Sequence, residues 1–201
     1  MKKLILFLLT LSSLYAADAK IYMGLAYGLY GENMSRQGYN DNNNSTPDLS
    51  TKEISNISNS AIFKLGYGVR EAYSIEFSLE YIANNSEIFE GGDAAKYGLN
   101  VDFIKAFDFD IYVLPYAKVG IGAGVLDTNV TESGKLSFGS FNAGLGMYIP
   151  ISEHFDFDIG YQYRYVSYEK YRDQPSDNNA PQIPIEKSHT NMLYFGINTR
   201  F

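Results

Sequence analysis

Six charged residues, Lys64, Glu76, Glu80, Asp102, Lys118 and Arg164, sit on the polar side of stretches that otherwise alternate with large apolar residues. Carboxylates held near one another can work as general acid and base, and carboxylates held near amines form ion pairs. Glu76 and Glu80 share one face of YSIEFSLEYI (Tyr73 to Ile82), because successive strand side chains point to opposite faces. Approximate hairpin registers bring Glu76 level with Asp102, with Lys64 and Lys118 nearby. A second constellation, Ser188-His189-Thr190, pairs a hydroxyl with an imidazole, the raw material of a nucleophile and its base. Adjacent strand residues face opposite ways, which argues against that pair meeting. Which chemistry survives depends on the space left by the elements that carry these residues.

Composition narrows the classes. The 201 residues suit one domain, with 18 tyrosines, 13 phenylalanines and 18 glycines but no tryptophan or cysteine. A formal net charge of −7 argues against a nucleic-acid partner, which needs a basic face. Without cysteine there are no disulfides, thiolate metal sites or cysteine nucleophiles, and His154 and His189 show no metal-ligand spacing. No cofactor is expected. Residues 1–19 have the layout of a signal peptide: Lys2 and Lys3, the apolar run Leu4–Leu11, then Ala16, Ala17 and Ala19, with cleavage expected within about 16–19. The run is too short to span a bilayer, although an uncleaved anchor is the alternative. Removing it takes both lysines away and leaves the mature chain, 20–201, more acidic still.

Period-two alternation runs through that mature chain, and helical periodicity is hard to find. FDFDIGYQYRYV (Phe155 to Val166) sets six bulky residues against Asp156, Asp158, Gly160, Gln162 and Arg164. Comparable runs near 20–30, 58–70, 73–82, 95–107, 111–126, 136–149 and 189–201 bring the expected total to eight strands. Long polar connections (31–57, 83–94, 127–135 and 167–188) alternate with tight ones (Arg70–Ala72, Asp108–Asp110 and Pro150–His154). That order predicts an all-β, antiparallel up-and-down meander with every long loop at one end.

Volume decides which face is concave. A soluble lipocalin-like barrel would turn the apolar face inward, but an eight-stranded interior is just wide enough for side chains to fill. About five bulky residues per strand would not fit, whereas the opposite face offers Gly24, Ala26, Gly28, Gly66, Gly68, Gly120, Gly122, Gly124, Gly144 and Gly146. The bulky face therefore points outward, and a bilayer accepts such a belt if closure leaves no edge. Tyr22, Tyr30, Tyr73, Tyr81, Tyr97, Tyr112, Tyr161 and Tyr165 lie near strand ends as candidates for interfacial girdles, although some follow the inward parity and tyrosine favours strands in any case.

The last residues, NMLYFGINTRF, place Leu193, Phe195, Ile197 and the terminal Phe201 in strand alternation, with KIYMGLAYGLY (Lys20 to Tyr30) as the natural closing partner. In this the mature chain resembles small outer-membrane β-barrels of the OmpA/opacity-protein type. The resemblance implies an eight-stranded transmembrane β-barrel with both termini periplasmic. It also implies that Leu193, Phe195, Ile197 and Phe201 form the signal read by the barrel assembly machinery. Nothing follows Phe201, so OmpA's peptidoglycan-binding domain, and tethering to the cell wall, are not expected.

Inside such a barrel the six charged residues are expected to form an ion-pair network that plugs the lumen; rearrangement to pass small ions is the alternative. Enzymatic outer-membrane barrels exist, among them lipid A deacylases, phospholipases and omptin proteases, but a filled barrel offers no cleft and the chain is read as a non-enzyme. The loops are the expected functional surface: surface display, adhesion and support of a lipopolysaccharide-bearing outer membrane, with host-surface ligands as partners. A narrow channel for small or hydrophobic solutes, as in OmpW-like barrels, is the second hypothesis. Asn43 and Asn129 stand in sequons with an acid two positions earlier, resembling the acceptor sites of bacterial N-glycosylation.

Overall fold

In the computed structural model, residues 19–37, 51–84, 94–127, 135–169, 171–172, 182–183 and 187–201 are described. Residues 1–18, nearly all of the expected signal peptide, the tips of the four loops and both sequons, Asn43 and Asn129, lie outside these residues. Seven long strands follow in order: β1 (Lys20–Gln37), β2 (Thr51–Gly68), β3 (Tyr73–Asn84), β4 (Ala94–Ala106), β5 (Leu114–Asp127), β6 (Lys135–Pro150) and β7 (Phe155–Tyr168). Two-residue strands β8 (Tyr171–Arg172) and β9 (Gln182–Ile183) pair only with each other, and β10 (Lys187–Arg200) completes the set. The eight long strands form a closed antiparallel barrel in the order β1-β10-β7-β6-β5-β4-β3-β2.

Closure follows from the ends of the sequence. β10 pairs with β1 from Tyr22↔Arg200 to Met34↔Ser188, and the Phe201 amide donates to the Ile21 carbonyl at 2.9 Å. The terminal strand therefore has a neighbour on both sides, which removes the exposed edge that would otherwise invite aggregation.

Every barrel ladder joins even residues to even and odd to odd, with no bulge in any of them. One consequence is a single parity for the molecule. Even-numbered strand residues face the bore, and odd-numbered ones such as Leu25, Phe77, Leu79, Ile121, Leu145 and Phe195 stay exposed outside. The outward belt expected from volume is in place.

Four expectations need correction. The first loop is shorter than 31–57, because β1 and β2 stay paired as far as Gln37↔Thr51; polar composition concealed a ladder that needs only backbone hydrogen bonds. Similarly, β10 begins at Lys187 inside the segment assigned to the fourth loop. The fifth strand starts at Leu114 rather than 111, so the turn after β4 covers Phe107–Val113 and carries apolar residues that look strand-like. Finally, Tyr22 and Tyr30 belong to no girdle: both are buried in the bore, as are Tyr116, Tyr148, Tyr168 and Tyr194.

Those inner tyrosines fit because of glycine. Tyr22 stands directly across from Gly66, Tyr116 from Gly146 and Tyr194 from Gly160, and in each case a Cβ on the glycine would overlap the phenol ring. The concave face is thus not uniformly small. It interleaves bare backbone with aromatic rings, which packs the bore without widening the barrel.

Candidate functional site

The bore concentrates the charge of the strands. Six buried carboxylates (Glu32, Glu76, Glu80, Asp102, Asp156 and Asp158) share it with five buried cations (Lys64, Lys96, Lys118, Arg164 and Arg200). Arg70, partly buried at the turn end, is a sixth cation in contact with Asp156. The described interior is therefore neutral, as burial of so many ions requires.

Three tiers are distinguishable along the bore. At the turn end, Asp156 lies between Arg200 (Nε to Oδ2, 2.5 Å) and Arg70 (Nη1 to Oδ1, 3.0 Å). The Arg200 guanidinium sits 4.7 Å from the Tyr22 ring centroid and 5.3 Å from that of Tyr148, so its charge is shared between a carboxylate and two π faces. Tyr22 donates to Glu76 Oε2 at 2.9 Å, linking this tier to the next.

In the middle tier the Lys64 ammonium donates to Asp158 at 2.6 Å. Asp158 also accepts from Tyr116 at 2.7 Å, and the Tyr116 and Tyr194 hydroxyls lie 2.5 Å apart. Lys64 and Lys118 stand 4.3 and 4.6 Å from the Tyr194 ring centroid. Lys118 also approaches Asp102 at 3.7 Å. Asn142 donates to Asn100 at 3.1 Å and Asp102 at 3.4 Å, so neutral amides supply donors that one lysine cannot. Glu76 is the direct cross-strand partner of Asp102.

Toward the loops, Arg164 reaches Glu80 at 2.5 Å across the full diameter, from β7 to β3, as an ion pair without hydrogen-bond alignment. Above it, Glu32 receives the Lys96 ammonium and accepts from Ser188 at 2.6 Å and Tyr168 at 2.8 Å. Lys96 also contacts the Tyr168 hydroxyl.

All six residues singled out from the sequence thus face the bore, and each touches a charged or hydroxyl partner. Sequence reasoning omitted Glu32, Lys96, Asp156, Asp158 and Arg200 from the charged set. Asp156 and Asp158 carried the signal, being on the polar face of β7. Glu32 was hidden in a segment read as loop, and Arg200 in a motif read only for its apolar residues.

The Ser188-His189-Thr190 triplet divides between the two faces. Ser188 and Thr190 are buried in the bore, while His189 stands outside against Tyr163, whose hydroxyl lies 2.5 Å from Nδ1, and beside Tyr165. Serine and imidazole do not meet as nucleophile and base. Leu193, Phe195 and Ile197 project from the outer face of β10, and Phe201 stands exposed just past its end.

Comparison with known proteins agrees with this geometry. Residues 4–201 match the family model described as outer membrane protein beta-barrel domain. No curated protein sequence gives a match. Among solved structures, Neisserial surface protein A is 15% identical, with 91% of this chain and 99% of that chain covered and a TM-score of 0.61. The outer membrane protein AlkL is 10% identical, covering 92% and 90%, with a TM-score of 0.59. Ail, the attachment invasion locus protein of Yersinia pestis, is 15% identical in its complex with the heparin analogue sucrose octasulfate, covering 92% and 99%, with a TM-score of 0.50. At these identities the likeness is one of fold.

Proposed function

The chain belongs to the outer membrane protein beta-barrel domain family, and from that premise we propose a closed-bore barrel of the bacterial outer membrane whose loops, not its lumen, meet ligands. The observation that carries this reading is the middle tier, where Lys64, Asp158, Tyr116 and Tyr194 join strands from opposite parts of the wall. Ion pairs tied to hydroxyls at 2.5–2.9 Å leave hydrated ions no path without breaking several at once. The network's role is structural: it braces the barrel and closes it.

Both termini belong on the periplasmic side, with the four long loops outside, where they supply surface display and adhesion. Outer-membrane lipid and lipopolysaccharide surround the belt, and the barrel assembly machinery reads Leu193, Phe195, Ile197 and Phe201. Ail was solved with a sulfated sugar analogue, which supports host-surface ligands as a class. The loops of this chain are acidic, with Asp41, Asp48, Glu87, Glu90, Asp93, Glu132, Asp173 and Asp177, so a neutral or basic host surface suits them better than a sulfated glycan. Glycans on Asn43 and Asn129 would add to that display, and the intact mass of native protein tests for them.

One pair of measurements tests the reading. Deleting 38–50 and 173–181 should abolish attachment to host surfaces while the shortened barrel still folds in lipid, and planar bilayers containing the full chain should stay electrically silent. Unchanged attachment would overturn the display role. Steady conductance would favour the channel for small or hydrophobic solutes.

A further inference from the structure

The turn Phe107–Val113 is unlike the other described turns. Val69–Ala72 and Ile151–His154 are four residues each, whereas this one has seven and leaves Phe107, Phe109, Ile111 and Tyr112 exposed, the last at 71%. Exposed apolar side chains in a strand find lipid; in a turn beyond the strands they need another explanation. The conformation is specified rather than loose. Asp108 Oδ1 accepts the Asp110 amide at 2.9 Å, and Asp110 takes a left-handed φ of 56°, which aspartate tolerates better than most residues. Phe107 and Phe109 stack with centroids 6.1 Å apart, and Tyr112 donates to the Pro150 carbonyl at 2.6 Å, bracing the turn against its neighbour.

Beside this foot stands Lys105, on the outer face of β4. Its ammonium lies 4.0 Å from the centroid of Tyr73, its cross-strand partner, and 5.8 Å from that of Phe107. Among the described residues no carboxylate comes within ion-pairing distance of it. The foot is continuous with the lipid-facing belt through Tyr73 and Phe103, whose rings stack at 5.6 Å. A cation at the rim of an apolar belt, with only π faces for company, is placed for an anion that the membrane itself supplies.

We propose that Lys105 and the turn Phe107–Tyr112 form a phospholipid site in the leaflet on the turn side: the ammonium takes the headgroup phosphate while Phe107, Phe109 and Ile111 enter the acyl boundary. This rests on the outer-membrane reading, and the experiment separates the two. The chain contains no tryptophan, so F109W adds a single indole reporter. The variant is refolded into phosphatidylcholine vesicles containing one-fifth phosphatidylglycerol, with bromines placed high on the acyl chains. The expected result is blue-shifted emission quenched by the bromines and shielded from aqueous acrylamide. A folded, inserted barrel whose indole is quenched only by acrylamide overturns the proposal alone. A chain that never inserts into vesicles overturns the outer-membrane reading and this proposal with it.

The headgroup contact has its own readout. Native mass spectrometry of the wild-type barrel should show retained phosphatidylglycerol, with a preference that falls about fivefold in K105A, the effect of one lysine at an anionic surface, and persists in K105R. Equal retention by K105A overturns the phosphate contact. Displacement of lipid by added inorganic phosphate would identify a free-anion site and overturn the lipid assignment.

Discussion

At Lys64 the ammonium reaches an aspartate three strands away round the wall, and Tyr116 holds the far oxygen of the same carboxylate. Removing one member of such a pair strands the other in a medium that cannot solvate it. K64M should therefore cost about 3–5 kcal/mol in urea unfolding from lipid vesicles, and K64M/D158L should recover most of the loss. A loss in K64M/D158L equal to the sum of the separate K64M and D158L losses would show that the pair is not coupled. A methyl at Gly160 would stand 2.8 Å from the Tyr116 hydroxyl and closer still to the Tyr194 phenol. Since those hydroxyls already touch, neither ring yields freely, and G160A should destabilise by about 1–3 kcal/mol, the usual cost of overpacking. The inward parity of Gly160 is visible in the sequence. The phenols above it are not, because they arrive from β5 and β10.

For the elements, alternation proved informative about faces and weaker about ends. Thr51–Asn56 reads as polar loop yet pairs with β1, whereas Ile111–Val113 reads as strand yet turns. A two-stranded ribbon beyond the apolar belt needs no apolar face, and a turn that touches a membrane needs one, so in both places composition reports environment rather than backbone. The terminal strand's pairing with β1 is a matter of stability, while the proposed recognition of Phe201 by the assembly machinery would be a matter of delivery. The two can be separated. Removing Phe201 should lower the amount of folded barrel in the outer membrane of cells several-fold, scored by heat-modifiable gel migration. It should leave refolding of purified protein into vesicles nearly unchanged. Matching losses in both settings would assign Phe201 to stability alone.

On the scale of the whole molecule, charge is partitioned. The bore of the described barrel balances six carboxylates against five cations with Arg70 at its mouth, so much of the net −7 is left to the loops and rims. Neutral and packed, the bore should carry no stepwise current in planar bilayers. Y116A/Y194A, which deletes the central phenols, is the variant most able to admit one. Silence in that variant too would place closure with the remaining ion-pair tiers. The sequence by itself determined the number of long strands and the outward belt, because period two acts over a few residues. The strict alternation of long and short connections did not hold, since 107–113 and 128–134 are seven residues each. Only the tertiary structure decided that Lys64 meets Asp158, that Arg164 spans the diameter to Glu80, and that six tyrosines lie inside, three of them over glycines. Those contacts depend on how a closed sheet of fixed circumference staggers its strands, a property of all eight ladders together that no single stretch of chain encodes.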